Sequence, residues 1–248
     1  MAQKIDAKRE YLEYLYRFQF SDGFQKEFSV FLDKKTLNLK VPQERGNFPD
    51  WTGMESFQCP NCPLDKTKVT HCPIAVNVAH LVDVFKDSIS YEEALIRIEC
   101  QERIIEKKTA LQNGIGSLIG IYMSTSGCPI MDKLKPMVRM HLPFATLEET
   151  VYRVTSMYLL GQYFRSKNGL EPDWELLELK SSYEQIQIVN ENFSRKLSHM
   201  AVKDASINAV VLLDTFAAYV PLSIEAHLGD IAVFFKTYWE NNGEAKTL

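Results

Sequence analysis

The sequence has no apolar leader. Its first residues, Met1-Ala-Gln-Lys-Ile-Asp-Ala-Lys-Arg, are polar, where a secretory signal carries an apolar stretch of roughly 7–15 residues. Long apolar runs are also missing. The longest, Ile115 to Met123 and Ala209 to Leu213, fall short of the roughly 18 residues that argue for a membrane span. A cytoplasmic location without a membrane partner is the expectation. In that reducing compartment the five cysteines are expected as thiols or metal ligands rather than disulfides.

Positive charge is scarce too. Lys and Arg number 28 against 32 Asp and Glu, a net charge of −4. This argues against the concentrated basic surface by which nucleic acid is bound, so no nucleic-acid partner is expected, although a local basic patch is compatible with the net charge. The chain contains no Gly-rich phosphate loop, no G-x-S-x-G and no H-E-x-x-H. Those absences remove the common signatures of nucleotide binding, serine hydrolysis and zinc proteolysis. Internal repeats and low-complexity segments are absent as well.

What is present is ordinary globular material: 248 residues, 46% apolar and 24% charged, enough for one large core without a staple. The expected fold is α+β: an N-terminal antiparallel β-meander plus a fourth strand, packed on a C-terminal helical bundle of about five to six helices. One domain over 1–248 is expected, mostly β over 10–108 with a Cys-rich loop at 42–73, and a bundle over 109–240.

Period-two alternation carries the β half. Tyr14, Tyr16, Phe18 and Phe20 share one strand face, and Asp22-Gly23 marks a hairpin turn. Phe28, Val30 and Leu32 return, and Leu37, Leu39 and Val41 are expected as a third strand. Ala94, Ile96, Ile98 and Cys100 alternate in a fourth. Between these strands, residues 42–73 hold five of the ten prolines and little periodicity. A structureless loop of that length is usually functional or tied down.

Helical spacing carries the rest. Val78, Leu81, Val82 and Phe85 predict a helix over 74–85, and 109–123 is apolar on most sides, with Gly114, Gly116 and Gly120 allowing close backbone approach. Thr146-Leu-Glu-Glu149 is a capping-box pattern. Leu176, Leu179, Tyr183, Ile186, Asn190, Phe193, Leu197 and Met200 form a seam of 3–4 spacing with a polar break at Asn190. This seam, 176–200, is a candidate homodimer interface; an intramolecular bundle uses the same pattern. Two further helices are expected, 205–219 and 221–239, with Pro221 near the start of the second.

The chemistry concentrates in one run, Cys59-Pro-Asn-Cys62-Pro-Leu, followed by His71-Cys72-Pro. A Cys-x-x-Cys turn presents two sulfurs to one ion, and a third thiol, Cys72, follows a short loop later. Thiolates select zinc, copper(I) or iron–sulfur. The expectation is a zinc site, with an iron–sulfur centre as the alternative. A structural zinc wants four ligands, and His71 is too close to Cys72 for both to reach one ion. The fourth ligand is sought in Cys128, Cys100 or His141. Two other readings compete: a redox dithiol at Cys59 and Cys62, and thiols packed as small apolar groups.

A second segment, Ser124-Thr-Ser-Gly-Cys128-Pro and then Met140-His141-Leu-Pro-Phe144, allows a Cys128–His141 nucleophile pair or a metal with an open position beside His141. The plainer reading is a capped connection between core helices, with His141 bonded to a backbone carbonyl. Asp204, Asp214, Glu225 and His227 are a weaker cation-binding candidate, better explained as a solvated helix face.

The four motifs Cys59-Pro-Asn-Cys62-Pro-Leu, His71-Cys72-Pro, Ser126-Gly127-Cys128-Pro and His141-Leu-Pro-Phe-Ala together resemble an uncharacterised bacterial family, a domain of unknown function. The resemblance runs from the first strand near residue 11 to the last helix. It implies a bacterial origin and brings no activity with it.

Overall fold

The computed structural model describes residues 10–40, 48–200 and 202–238; the side chains of 225–227 and 230 lie outside that description. Expected features at Val41, Glu225 and His227 therefore lie outside the described residues or side chains.

The fold is α+β, with four antiparallel strands near the N-terminus and helices after them. β1 (Tyr11–Phe20) and β2 (Gln25–Asp33) form the hairpin, turned by Gly23 at φ 86°. The next helices are α1 (Met54–Phe57) and α2 (Pro73–Val84). β3 (Glu93–Glu99) and β4 (Ile104–Ala110) complete the sheet, in the order β2-β1-β3-β4. Register places Tyr16 between Phe28 and Ile98, and Phe18 beside Ile96. The alternating aromatic face is the core: Tyr14, Tyr16, Phe18, Phe28, Val30, Leu32, Ile96 and Ile98 are all buried.

The third meander strand does not form. Asp33 Oδ1 accepts from the Lys35 and Thr36 backbone N–H groups, closing a turn that puts Leu37 at φ 56°. Leu39 retains only an isolated bridge to Leu32. The sheet's fourth strand is instead β4, an outer strand with the charged residues Glu106, Lys107 and Lys108. Charge on an edge blocks pairing with other chains and also erases the apolar alternation that marks a strand in sequence.

Helices α3 (Leu111–Thr125), α4 (Lys135–Arg139), α5 (Leu147–Lys167), α6 (Leu177–Ser198) and α7 (Asp204–Ala232) follow. The glycines of α3 serve close approach as expected. A Cβ on Gly114 would lie 2.8 Å from Phe18 Cε1, and one on Gly116 would lie 3.2 Å from the Ala209 carbonyl oxygen. The Thr146 capping box opens α5 with both of its hydrogen bonds present. α6 starts at Leu177 rather than near Pro172. Asp173 Oδ2 accepts from the Glu178 N–H and from Tyr158, fixing a turn ahead of the helix.

The seam of α6 is buried from Leu176 to Leu197, Asn190 included. Burial within one copy accounts for the pattern. The two expected C-terminal helices are one: α7 runs through Pro221. An interior proline costs about 3 kcal/mol, and around it Ala217, Val220, Ser223 and Ile224 are buried. The merger also corrects the reading of hydropathy. Asp204–Ile224 is, by length and composition, long and apolar enough to cross a membrane; 33% of its window is buried, and a core helix passes the same test.

The chain divides into two compact units. One comprises residues 1–144 and 185–214, the other 145–184 and 215–248. The division falls elsewhere than between sheet and helices. All residues of the site described next belong to the first unit.

Candidate metal centre

Short-range backbone pairing first shapes the long loop. Gly53 and His71 form an antiparallel bridge, Cys72 N–H donates to the Thr52 carbonyl at 2.8 Å, and Met54 N–H donates to Thr70 at 2.9 Å. Thr52 is fully buried. Its hydroxyl donates to the Pro49 carbonyl at 2.7 Å, so toward His71 Nδ1, 2.8 Å away, it accepts. Nδ1 therefore carries the proton. His71 acts as a brace for Thr52.

Bracing delivers Cys72 to the N-terminus of α2, as its N-cap with Pro73 at the first helical position. Proline is favoured there because its missing N–H has no helical partner to lose. Burial raises the Cys72 thiol, and the nearby Ala75 and Ile74 backbone N–H groups oppose that shift without closing a capping hydrogen bond. At Cys128, after α3, burial likewise raises the thiol and the nearby Met131 and Ile130 N–H groups oppose that shift. The local sequences agree, Cys72-Pro-Ile and Cys128-Pro-Ile. Backbone donors aimed at sulfur favour the thiolate.

Cys59 and Cys62 sit on a turn closed by Cys62 N–H to the Cys59 carbonyl at 3.1 Å. This turn rests on α6. Asn61 Nδ2 donates to Gln185 at 3.0 Å, and Asn192 Nδ2 donates to the Cys59 sulfur at 3.3 Å. Gln185 and Asn192 are two helical turns apart and so share a face. Phe57 packs edge-on against Phe193 beside them, with ring centroids 5.0 Å apart.

Four thiols thereby come within electrostatic reach of one another. Burial pushes Cys59 up to about 12, and the neighbouring Cys72, Cys128 and Cys62 push the same way. Cys72 and Cys128 are raised chiefly by burial, and Cys62 acts on both. Like charges this close cannot all ionise unaided. Among the described residues, however, no three Cys, His, Asp or Glu side chains stand at metal-ligand geometry. The thiols are gathered, not drawn to a common point.

The remaining candidates face elsewhere. His141 Nε2 lies 2.5 Å from the Tyr16 hydroxyl and 3.2 Å from Ser117 Oγ, and Tyr14 donates to the Val138 carbonyl at 2.7 Å. These bonds pin the turn after α4 against β1. Nε2 thus has the Tyr16 and Ser117 hydroxyls as partners. Cys100 Sγ lies 3.5 Å from the Arg103 carbonyl in the β3–β4 turn. Asp204 accepts from the Ser90 N–H and hydroxyl and from Asn208. It closes a junction at the start of α7.

Asn192, Gln185 and Arg195 have no counterpart in the sequence-based candidates. Their one available signal is the seven-residue spacing of polar residues beside the seam. The Arg195 guanidinium donates to Asn192 Oδ1 at 3.0 Å, which turns the amide nitrogen toward Cys59.

No curated protein and no solved structure matches this chain. The family model described as "Domain of unknown function (DUF6901)" matches residues 14–236, which takes in the sheet, all four gathered thiols and α6, and the chain belongs to that family.

Proposed function

We propose that this is a metal-binding protein in which Cys59, Cys62, Cys72 and Cys128 hold one zinc ion, ordering the long loop against the helices of its unit. The observation that supports the reading is the Cys59–Cys62 turn, closed by the Cys62 N–H on the Cys59 carbonyl, in the same unit as the buried Cys72 and Cys128. Each of the four is followed by proline, which stiffens the turn behind the sulfur. Zinc would supply the positive charge that lets all four ionise together, with release of their protons.

Four thiolates close a tetrahedral site, which suits a structural role rather than catalysis. Cys128 serves better than His141 as the fourth ligand, because Tyr16 and Ser117 engage the imidazole. A redox dithiol is disfavoured by the high pKa of Cys59, since a reactive thiol needs a lowered one.

Metal analysis of the purified protein tests the proposal. About one zinc per chain is expected, lost in both Cys59→Ser and Cys128→Ser and retained in Cys100→Ser. A brown protein containing iron would replace zinc with an iron–sulfur centre on the same thiols. Absence of both metals, with Cys59→Ser folding normally, would overturn it.

A further inference from the structure

α5 turns its apolar side outward. Its buried positions are Val151, Val154, Thr155 and Gln162, so half of the inward face is polar. Tyr152, Leu160, Tyr163 and Phe164 are exposed by 45–55%. A helix whose outer face meets only water shows the opposite distribution. Glu149, Tyr152, Ser156, Leu160, Tyr163 and Lys167 recur at spacings of three or four and so line one side. Between Glu149 and Arg165 the sole charged residue is Arg153. The patch continues past the helix within the same unit. Phe235 stacks on Tyr152 with ring centroids 6.4 Å apart, Tyr238 follows Phe235 at 6.1 Å, and Phe234 and Tyr238 are exposed.

We infer that this face is the interface of a homodimer, in which the α5 helices of two copies of the chain pack antiparallel across a two-fold axis. Charge sets the direction. The first turn of α5 carries Glu148 and Glu149, and the last carries Arg165 and Lys167. Lys167 Nζ lies 5.3 Å from the centre of the Tyr163 ring, which keeps the cation beside the stripe. Antiparallel packing centred near Tyr158 sets Glu149 of one copy against Lys167 of the other. It also sets Tyr152 against Phe164, and Ser156 against the larger Leu160. A two-fold axis repeats each of these contacts, as an isologous interface requires.

Area points the same way. At ~200 Å² for a large side chain, the exposed fractions of Tyr152, Leu160, Tyr163, Phe164, Phe234 and Tyr238 amount to roughly 700 Å². The largest apolar patch of an ordinary monomer is about 300–600 Å², and each partner of a standard interface contributes about 800 Å². A lipid surface is the poorer occupant. Residues 145–184 and 215–248 carry eleven Asp and Glu against six Lys and Arg, and an acidic unit is repelled by an anionic leaflet.

Sedimentation velocity of the full chain under reducing conditions tests the inference. Wild type is expected to be a dimer at tens of micromolar. Leu160→Asp, at an exposed position, should weaken dimerisation roughly 100-fold or more, with an unchanged circular dichroism spectrum. Lys167→Glu and Glu149→Lys should each weaken it by roughly 3- to 10-fold, and the two together should restore it. A monomeric wild type overturns the inference, and so does a dimer that Leu160→Asp leaves intact. Failure of the double variant to recover, with both single variants weakened, overturns the antiparallel pairing. A wild-type monomer that floats with phosphatidylcholine vesicles, where Leu160→Asp does not, would give the face to lipid instead.

Discussion

Asp204 illustrates how much one side chain can organise. It opens α7 and accepts from the Ser90 backbone at 2.9 Å, the Ser90 hydroxyl at 2.9 Å and Asn208 at 3.0 Å. The Ser90 N–H is the leading cause that holds its carboxyl below the usual range. A depressed pKa contributes stability above the unfolded value near ~3.9, and that contribution disappears as pH falls through the folded value. Asp204→Ala should therefore cost about 1–2 kcal/mol at pH 7, with the gap to wild type shrinking toward pH 3. Urea denaturation at the two pH values measures it; a gap independent of pH would show that the carboxylate charge is not what matters. The thiols show the other side of the residue scale. Cys59, Cys62, Cys72 and Cys128 stand out in sequence because cysteine is rare and each precedes proline. Asn192 does not, because asparagine is common in polar helix faces and its partner is remote in the chain.

At the scale of elements, legibility followed burial on one face. β1, β2, β3 and α2 alternate between buried and exposed positions, so their period survives in the sequence. β4 has mostly exposed side chains and carries no such period. The segment after Asp33 has apolar residues at the right spacing, but the Asp33 carboxylate gathers the local N–H groups into a turn before a strand can form. Proline at 221 misleads in the opposite sense, since packing holds the helix together across it. The glycines of α3 allow a sharper test. A methyl on Gly114 would press on Phe18 and Ile96, both fully buried and unable to yield. Gly114→Ala should destabilise by roughly 1–3 kcal/mol. Gly120 meets only Leu213 Cδ2 at 3.8 Å, an ordinary contact, so Gly120→Ala should be neutral or stabilise by up to about 1 kcal/mol. Thermal unfolding of the pair checks the contrast, and equal effects would contradict the packing described for α3.

For the molecule as a whole, the thiols draw on distant parts of one unit: the loop, the start of α2, the end of α3 and the face of α6. On the proposed reading, an ion that prefers the folded chain stabilises it by mass action. At free zinc a thousand times Kd the gain is about 4 kcal/mol, or roughly 8–16 °C in a chain of this size. Addition of a strong chelator should lower the unfolding temperature by that order, and restoring zinc should reverse it; no shift in wild type would speak against a bound ion. The metal reading was only partly visible in the sequence. Three thiols share one loop, but whether Cys128, Cys100 or His141 completes the set depends on where α3 and the sheet end. Tyr16 and Ser117 claim His141, and that choice is made by tertiary packing.

The grip of α6 on the Cys59–Cys62 turn has a consequence for the newborn chain. All four thiols have been synthesised by residue 128, but Gln185 and Asn192 come later. At roughly 5–20 residues per second the ribosome needs on the order of 3–13 s to travel from residue 128 to residue 192. During that interval the thiols are on the growing chain while their supporting helix is not. If the proposed zinc site exists, ions offered in that interval meet the thiols before Gln185 and Asn192 can hold the Cys59–Cys62 turn.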